Sequence, residues 1–87
     1  MLVDDEPIIL EKLTHIINAV ATDCCNVATA LNGTKAMHPA RMMQPQIIFS
    51  DIHMPLMNGI ELAQALKQIL PESLIVLING YNEFSYA

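Results

Sequence analysis

With 87 residues, a net charge of −5 and only four fixed cations, the chain is one domain or part of one. Lys12, Lys35, Arg41 and Lys67 are scattered and make no basic stripe, which argues against direct nucleic-acid binding by this segment. The apolar fraction of 53% contains no run of membrane-spanning length, and it fits an α/β domain whose central strands are buried on both faces.

Leu2-Val3 reads as the end of a strand whose start is cut short. Residues 6–21 read as a helix, because Ile9, Leu13, Ile16, Ile17 and Val20 recur at three- and four-residue steps. Pro7 suits its first turn, where a missing N–H costs nothing. Of these, Ile9, Leu13 and Ile16 are expected to form the buried stripe. Cys24 and Cys25 are neighbours and read as free thiols, which suits a reducing compartment. The acidic start, Asp4-Asp5, does not resemble a signal peptide, so the cytoplasm is the expected location.

A weak strand is expected over residues 26–30, then a turn at Asn32-Gly33. Residues 34–43 read as a poorer helix, with Pro39 expected near its start or at a kink. After Pro45, Ile47-Ile48-Phe49 is the third strand. A turn rich in Pro and Gly follows, and then a helix marked by Ile60, Ala63, Leu66 and Ile69 or Leu70, closed by Pro71. Leu74-Ile75-Val76-Leu77-Ile78 is a continuous apolar strand ended by Asn79-Gly80, and residues 82–87 could begin a further helix. This alternation predicts a parallel sheet with helices on both faces. Right-handed crossovers then bring the C-terminal ends of the strands to one edge, where such sheets bind ligands.

Asp4-Asp5, Asp51 and Asn79 all fall at that edge. Any one acid alone reads as a helix or turn cap. Together, three carboxylates in one crevice repel each other, and a divalent cation relieves the repulsion. An all-oxygen donor set completed by water favours Mg²⁺ over zinc. His15, His38 and His53 are better read as surface or half-buried histidines. A carboxylate beside Mg²⁺ can attack a phosphoryl group and form an aspartyl phosphate, which makes Asp51 the candidate nucleophile.

The segments Leu2-Val3-Asp4-Asp5-Glu6-Pro7, Phe49-Ser50-Asp51-Ile52-His53-Met54-Pro55-Leu56-Met57-Asn58-Gly59 and Asn79-Gly80-Tyr81 together resemble the receiver domain of two-component response regulators. They occur in the family's order and span the whole chain, residues 1–87. The resemblance implies a flavodoxin-like (CheY-like), doubly wound parallel sheet with strand order 2-1-3-4-5, here lacking its last strand and helix. It implies a phosphoacceptor signalling domain, and not a turnover enzyme, that takes a phosphoryl group from a sensor histidine kinase onto Asp51. By family position Asp5 binds Mg²⁺ directly, Asp4 binds it directly or through water, and the backbone carbonyl of His53 completes the protein ligands. The run from Gly80 to Ala87 is similar to receivers joined to AraC-type DNA-binding output domains, which would lie outside this chain.

Two departures bear on function. Asn79 stands at the switch position where receivers carry Ser or Thr, and the 87 residues contain no counterpart of the family's late Lys. Both predict that this 87-residue chain accepts phosphate poorly or not at all, although Asp51 is the right residue. They also raise a second reading, a degenerate pseudo-receiver acting only as a protein-interaction module. A third reading, an aspartate-nucleophile phosphohydrolase, is weaker because His53 stands where a second acid is expected. An unprotected fourth strand at the sheet edge predicts self-association of the chain.

Overall fold

The computed structural model describes residues 1–20 and 27–78. Four strands pair in parallel, in the order β2-β1-β3-β4 among the described residues. They are β1 (Leu2–Val3), β2 (Thr29–Ala30), β3 (Ile47–Asp51) and β4 (Leu74–Ile78). Three helices connect them: α1 (Pro7–Val20), α2 (Gly33–Met43) and α3 (Gly59–Ile69). This is the expected α/β architecture. The expectations for Cys24, Cys25, Asn26, the Asn79-Gly80 turn and the final helix start lie outside the described residues.

Register decides which residues share a face. Val3 pairs with Ala30 and with Ser50, and Ile48 pairs with Ile75. Paired residues of a parallel sheet point the same way, so these side chains line one face. There they join Ala36 and Ala40 of α2 and Leu62, Leu66 and Leu70 of α3 in the main core cluster. Leu2, one residue out of phase with Val3, is buried on the other face, as is Leu10 of α1. The first residue is tied in as well: the Met1 amino group donates to the Ile47 carbonyl at 2.8 Å.

Helix limits follow local chemistry. The Asn32 side chain accepts from the Lys35 N–H and caps α2. Gln44, left-handed with φ of 46°, ends α2, its N–H bonded to the Ala40 carbonyl. Asn58 and Glu61 form a reciprocal capping box on α3.

Several sequence expectations need correction. In α1 the buried residue is Leu10, 7% exposed, whereas Ile16 is 58% exposed. The stripe Leu10, Leu13, Thr14, Ile17 faces inward, and Ile16 lies well round the helix from it. Leu13 is half-buried rather than fully buried. Strand β2 is shorter than expected, Thr29–Ala30. Pro39 lies inside α2 and does not divide it. Its ring removes a donor from the carbonyl of Lys35, an exposed residue. In α3, Leu62 is fully buried and Ile60 is 49% exposed, so the seam runs Leu62, Leu66, Leu70.

Candidate functional site

The first and third strands end level with one another. Leu2 pairs with Phe49 and Val3 with Ser50, which places Asp4 beside Asp51. The Asp4 N–H still donates to the Ala30 carbonyl at 3.1 Å, so the chain is held extended up to the acid pair. Asp5 follows at the mouth and is exposed. One carboxylate oxygen from each of Asp4, Asp5 and Asp51 lies within 4.8 Å of the others.

Asp4 and Asp51 are oriented by backbone N–H groups. Asp4 Oδ1 accepts from the Glu6 N–H at 2.9 Å, just before α1 begins. Asp4 therefore also serves the capping role that a lone acid would suggest. Asp51 Oδ1 accepts from the His53 N–H at 3.3 Å. Burial pushes the Asp4 carboxyl above its ordinary value; the Glu6 hydrogen bond opposes this, and the charges of Asp51, Asp5 and Glu6 add to the rise. An all-oxygen set of this span and charge fits a hard divalent cation, which would relieve the crowding.

The Asp51 backbone is clamped from below. Ser50, nearly fully buried, donates its hydroxyl to the Asp51 carbonyl at 3.0 Å. Gly59 opens α3 directly under the same group. A Cβ on Gly59 would collide with the Asp51 carbonyl oxygen and lie 2.9 Å from Ile52 Cα. Here glycine supplies close approach, and its φ is not positive. The Gly59 N–H donates to the Ile52 carbonyl at 2.9 Å, and the Ile52 N–H donates to Ile78 at 3.0 Å. The loop after Asp51 is thus tied at one side to α3 and at the other to β4.

Gly33 has a similar reason. Its position for a Cβ lies 2.9 Å from Met57 Sδ, so the start of α2 packs directly on the loop. The sequence suggests a turn at Asn32-Gly33; the structure makes Asn32 a helix cap and Gly33 a contact surface. The roles of Ser50, Gly59 and Gly33 are not evident from the sequence. Only Asn58-x-x-Glu61 carries a readable local signal, the capping box. Asn79 lies outside the described residues; Ile78 before it pairs with Asp51. His15 and His38 lie on helices away from the acids.

With this geometry in hand, similarity to known proteins is informative. The family model of the response regulator receiver domain matches residues 1–87. The chain belongs to that family. This receiver is 33% identical over 87 residues to the transcriptional regulatory protein YesN of Bacillus subtilis, covering all of this chain and 24% of YesN. It is 36% identical over 85 residues to a response regulatory protein of Vibrio cholerae, covering 98% of the chain and 33% of that protein. Its fold matches a two-component transcriptional regulator AraC from Clostridium phytofermentans with a TM-score of 0.83 and 29% identity, over 98% of this chain and 66% of that one. The receiver therefore spans a quarter to a third of the length of those two relatives. The flavodoxin-like α/β fold is shared, and transcriptional regulators are among its relatives. Among the described residues no helix is long and apolar enough to cross a membrane.

Proposed function

We propose that this receiver accepts a phosphoryl group from a sensor histidine kinase on Asp51, with Mg²⁺ held beside it. The observation that carries this is the convergence of Asp4, Asp5 and Asp51 at the ends of adjacent parallel strands. A carboxylate oxygen of Asp51 attacks phosphorus, the bond from phosphorus to the donor's imidazole nitrogen breaks, and the electron pair returns to that nitrogen. Asp5, Asp51 and the His53 carbonyl would hold the cation, with Asp4 bound directly or through water. The cation, when bound, offsets negative charge on the phosphoryl oxygens. The His53 N–H fixes one Asp51 oxygen, and the Ser50–Gly59 clamp fixes its backbone, so the nucleophile is presented in one orientation.

Its setting in the cell follows that of the family. The domain works in the cytoplasm as a signalling module and not as a turnover enzyme, and a DNA-binding output domain lies beyond this chain in the intact protein. The AraC-type neighbour and the regulator YesN support that placement. As an isolated 87-residue chain it self-associates through β4, the outer strand among the described residues, where Leu74 and Leu77 are exposed.

The test is chemical. Acetyl phosphate with Mg²⁺ should label Asp51 of the intact protein, and this 87-residue segment only poorly, as read by peptide mass spectrometry, and Asp51→Asn should abolish the label. Labelling that persists in that variant, or is independent of Mg²⁺, would reject the assignment.

A further inference from the structure

The loop that follows Asp51 is anchored by two thioethers. Met54 is buried in the core cluster, and Met57 packs against that cluster from its rim. Met57 also lies on Gly33, the buried first residue of α2. A Cβ on Gly33 would come within 2.9 Å of Met57 Sδ and 3.0 Å of Met57 Cβ and Cγ. Met57 is followed at once by Asn58, the cap of α3, and then by Gly59, which lies under Asp51. One side chain therefore joins the start of α2, the acceptor loop and the approach to α3. The packing itself does not ask for sulfur, since leucine fills a similar apolar volume.

Sulfur matters because a thioether can be oxidised. Exposure sorts the chain's six methionines. Met42 and Met43 are 71% and 45% exposed, at the end of α2 remote from the acids. Met54, 9% exposed, is shielded. Met1 and Met37 are half-buried, and neither lies on the acceptor loop. Met57 is half-buried and does lie on it, so it is reachable by a small oxidant and is also part of a packed contact.

We propose that Met57 is an oxidation site, and that its sulfoxide loosens the acceptor loop. The oxidant is a hydroperoxide. The thioether sulfur attacks one peroxide oxygen, the O–O bond breaks, and the other oxygen leaves as hydroxide and takes a proton to become water. Sulfur loses two electrons and the peroxide gains them. The product is polar, and the apolar side chains of the cluster offer its oxygen no donor. An unpaired polar group in such a seat is costly, so the oxidised side chain leaves it for water. A flexible thioether can shift to admit a methyl group while staying apolar, but it has no such answer to polarity. The loop then keeps only Met54 as its anchor, and Asp51 is held less firmly. Reduction of the sulfoxide restores the contact. The effect on phosphate acceptance rests on Asp51 being the acceptor; the oxidation and the loosening do not.

The experiment treats the intact protein with graded hydrogen peroxide and then with dithiothreitol, which returns reversibly oxidised thiols. Peptide mass spectrometry should find Met42 and Met43 oxidised first, Met57 next and Met54 last. Hydrogen exchange in peptides spanning residues 32–36 and 52–60 should quicken only as Met57 sulfoxide accumulates. Labelling of Asp51 by acetyl phosphate with Mg²⁺ should fall several-fold over the same range, and methionine sulfoxide reductases should restore both readouts. Met57→Leu should label normally before peroxide and keep most of its labelling after it, whereas Met42→Leu combined with Met43→Leu should stay sensitive. A Met57 that remains reduced until the protein unfolds would overturn the proposal. So would sulfoxide at Met57 without quickened exchange, or full peroxide sensitivity of labelling in Met57→Leu. If exchange responds as expected but Asp51 is unlabelled even before peroxide, the oxidation site stands and it is the acceptor assignment that fails.

Discussion

A Cβ on Gly59 would lie 2.9 Å from Ile52 Cα and 3.0 Å from the Asp51 carbonyl carbon, both rigid backbone. Gly59→Ala should therefore displace Asp51 rather than be absorbed. Overpacking of this kind costs about 1–3 kcal/mol, and denaturant unfolding together with labelling at Asp51 should show both a loss of stability and a loss of phosphate acceptance. Gly33→Ala meets the flexible thioether of Met57 instead, so its effect on both readouts should be smaller. Asp4 yields a prediction with a definite sign. Its folded pKa is raised above the ordinary 3.8, so the folded state binds its proton more tightly than the unfolded chain does. The deficit is fully present above the folded pKa and disappears as pH falls through it toward the unfolded value. Asp4→Asn keeps an oxygen for the Glu6 N–H and removes the charge. In the absence of divalent cation this variant should be more stable than the unaltered chain at neutral pH, and the gap should close on acidification. Thermal unfolding of the two proteins across that range is the measurement; a gap that widens toward acid would contradict the charge-crowding account.

At the scale of elements, α1 is the sharpest test of packing. Leu10 is its buried residue and Ile16 an exposed one. Leu10→Ala should cost about 2–5 kcal/mol, whereas Ile16→Ala should stay within about 0.5 kcal/mol. Leu13, half-buried, should fall between them. Equal effects at 10 and 16 on urea unfolding would mean that the helix presents a different face to the sheet. Helix α3 is positioned by its capping box as much as by its seam. Asn58→Ala removes the acceptor for the Glu61 N–H, a bond of 2.8 Å, and should cost about 1 kcal/mol. Because α3 begins under Asp51, that change should also weaken Mg²⁺ binding, which isothermal titration would read directly.

For the whole molecule, the outer strand governs behaviour in solution. β4 pairs with β3 through all five of its residues and has no second partner among the described residues. It contains no Pro or charge to discourage pairing with another chain. Sedimentation of the isolated 87-residue chain at micromolar concentration should find dimers or larger species, and Val76→Lys should shift it toward monomer. A monomer at all concentrations would remove the edge from consideration. Much of this architecture was legible in the sequence. The order of strands and helices follows from apolar runs and three- to four-residue steps. The capping signature Asn58-x-x-Glu61 and the turn residues are local, and local chemistry is written directly in neighbouring positions. The acids were legible as candidates for the same reason: the pair Asp4-Asp5 follows one apolar strand and Asp51 ends another. Only the tertiary structure decided which face of α1 and of α3 is buried, because several apolar stripes are available and the sheet selects one. It also decided that Gly33 and Gly59 are contact surfaces. Above all it decided that Asp4, Asp5 and Asp51 share one pit. That depends on the parallel register of β1 against β3, a pairing of residues some forty-seven positions apart, on which hydrogen bonds and burial act in three dimensions and sequence spacing is silent.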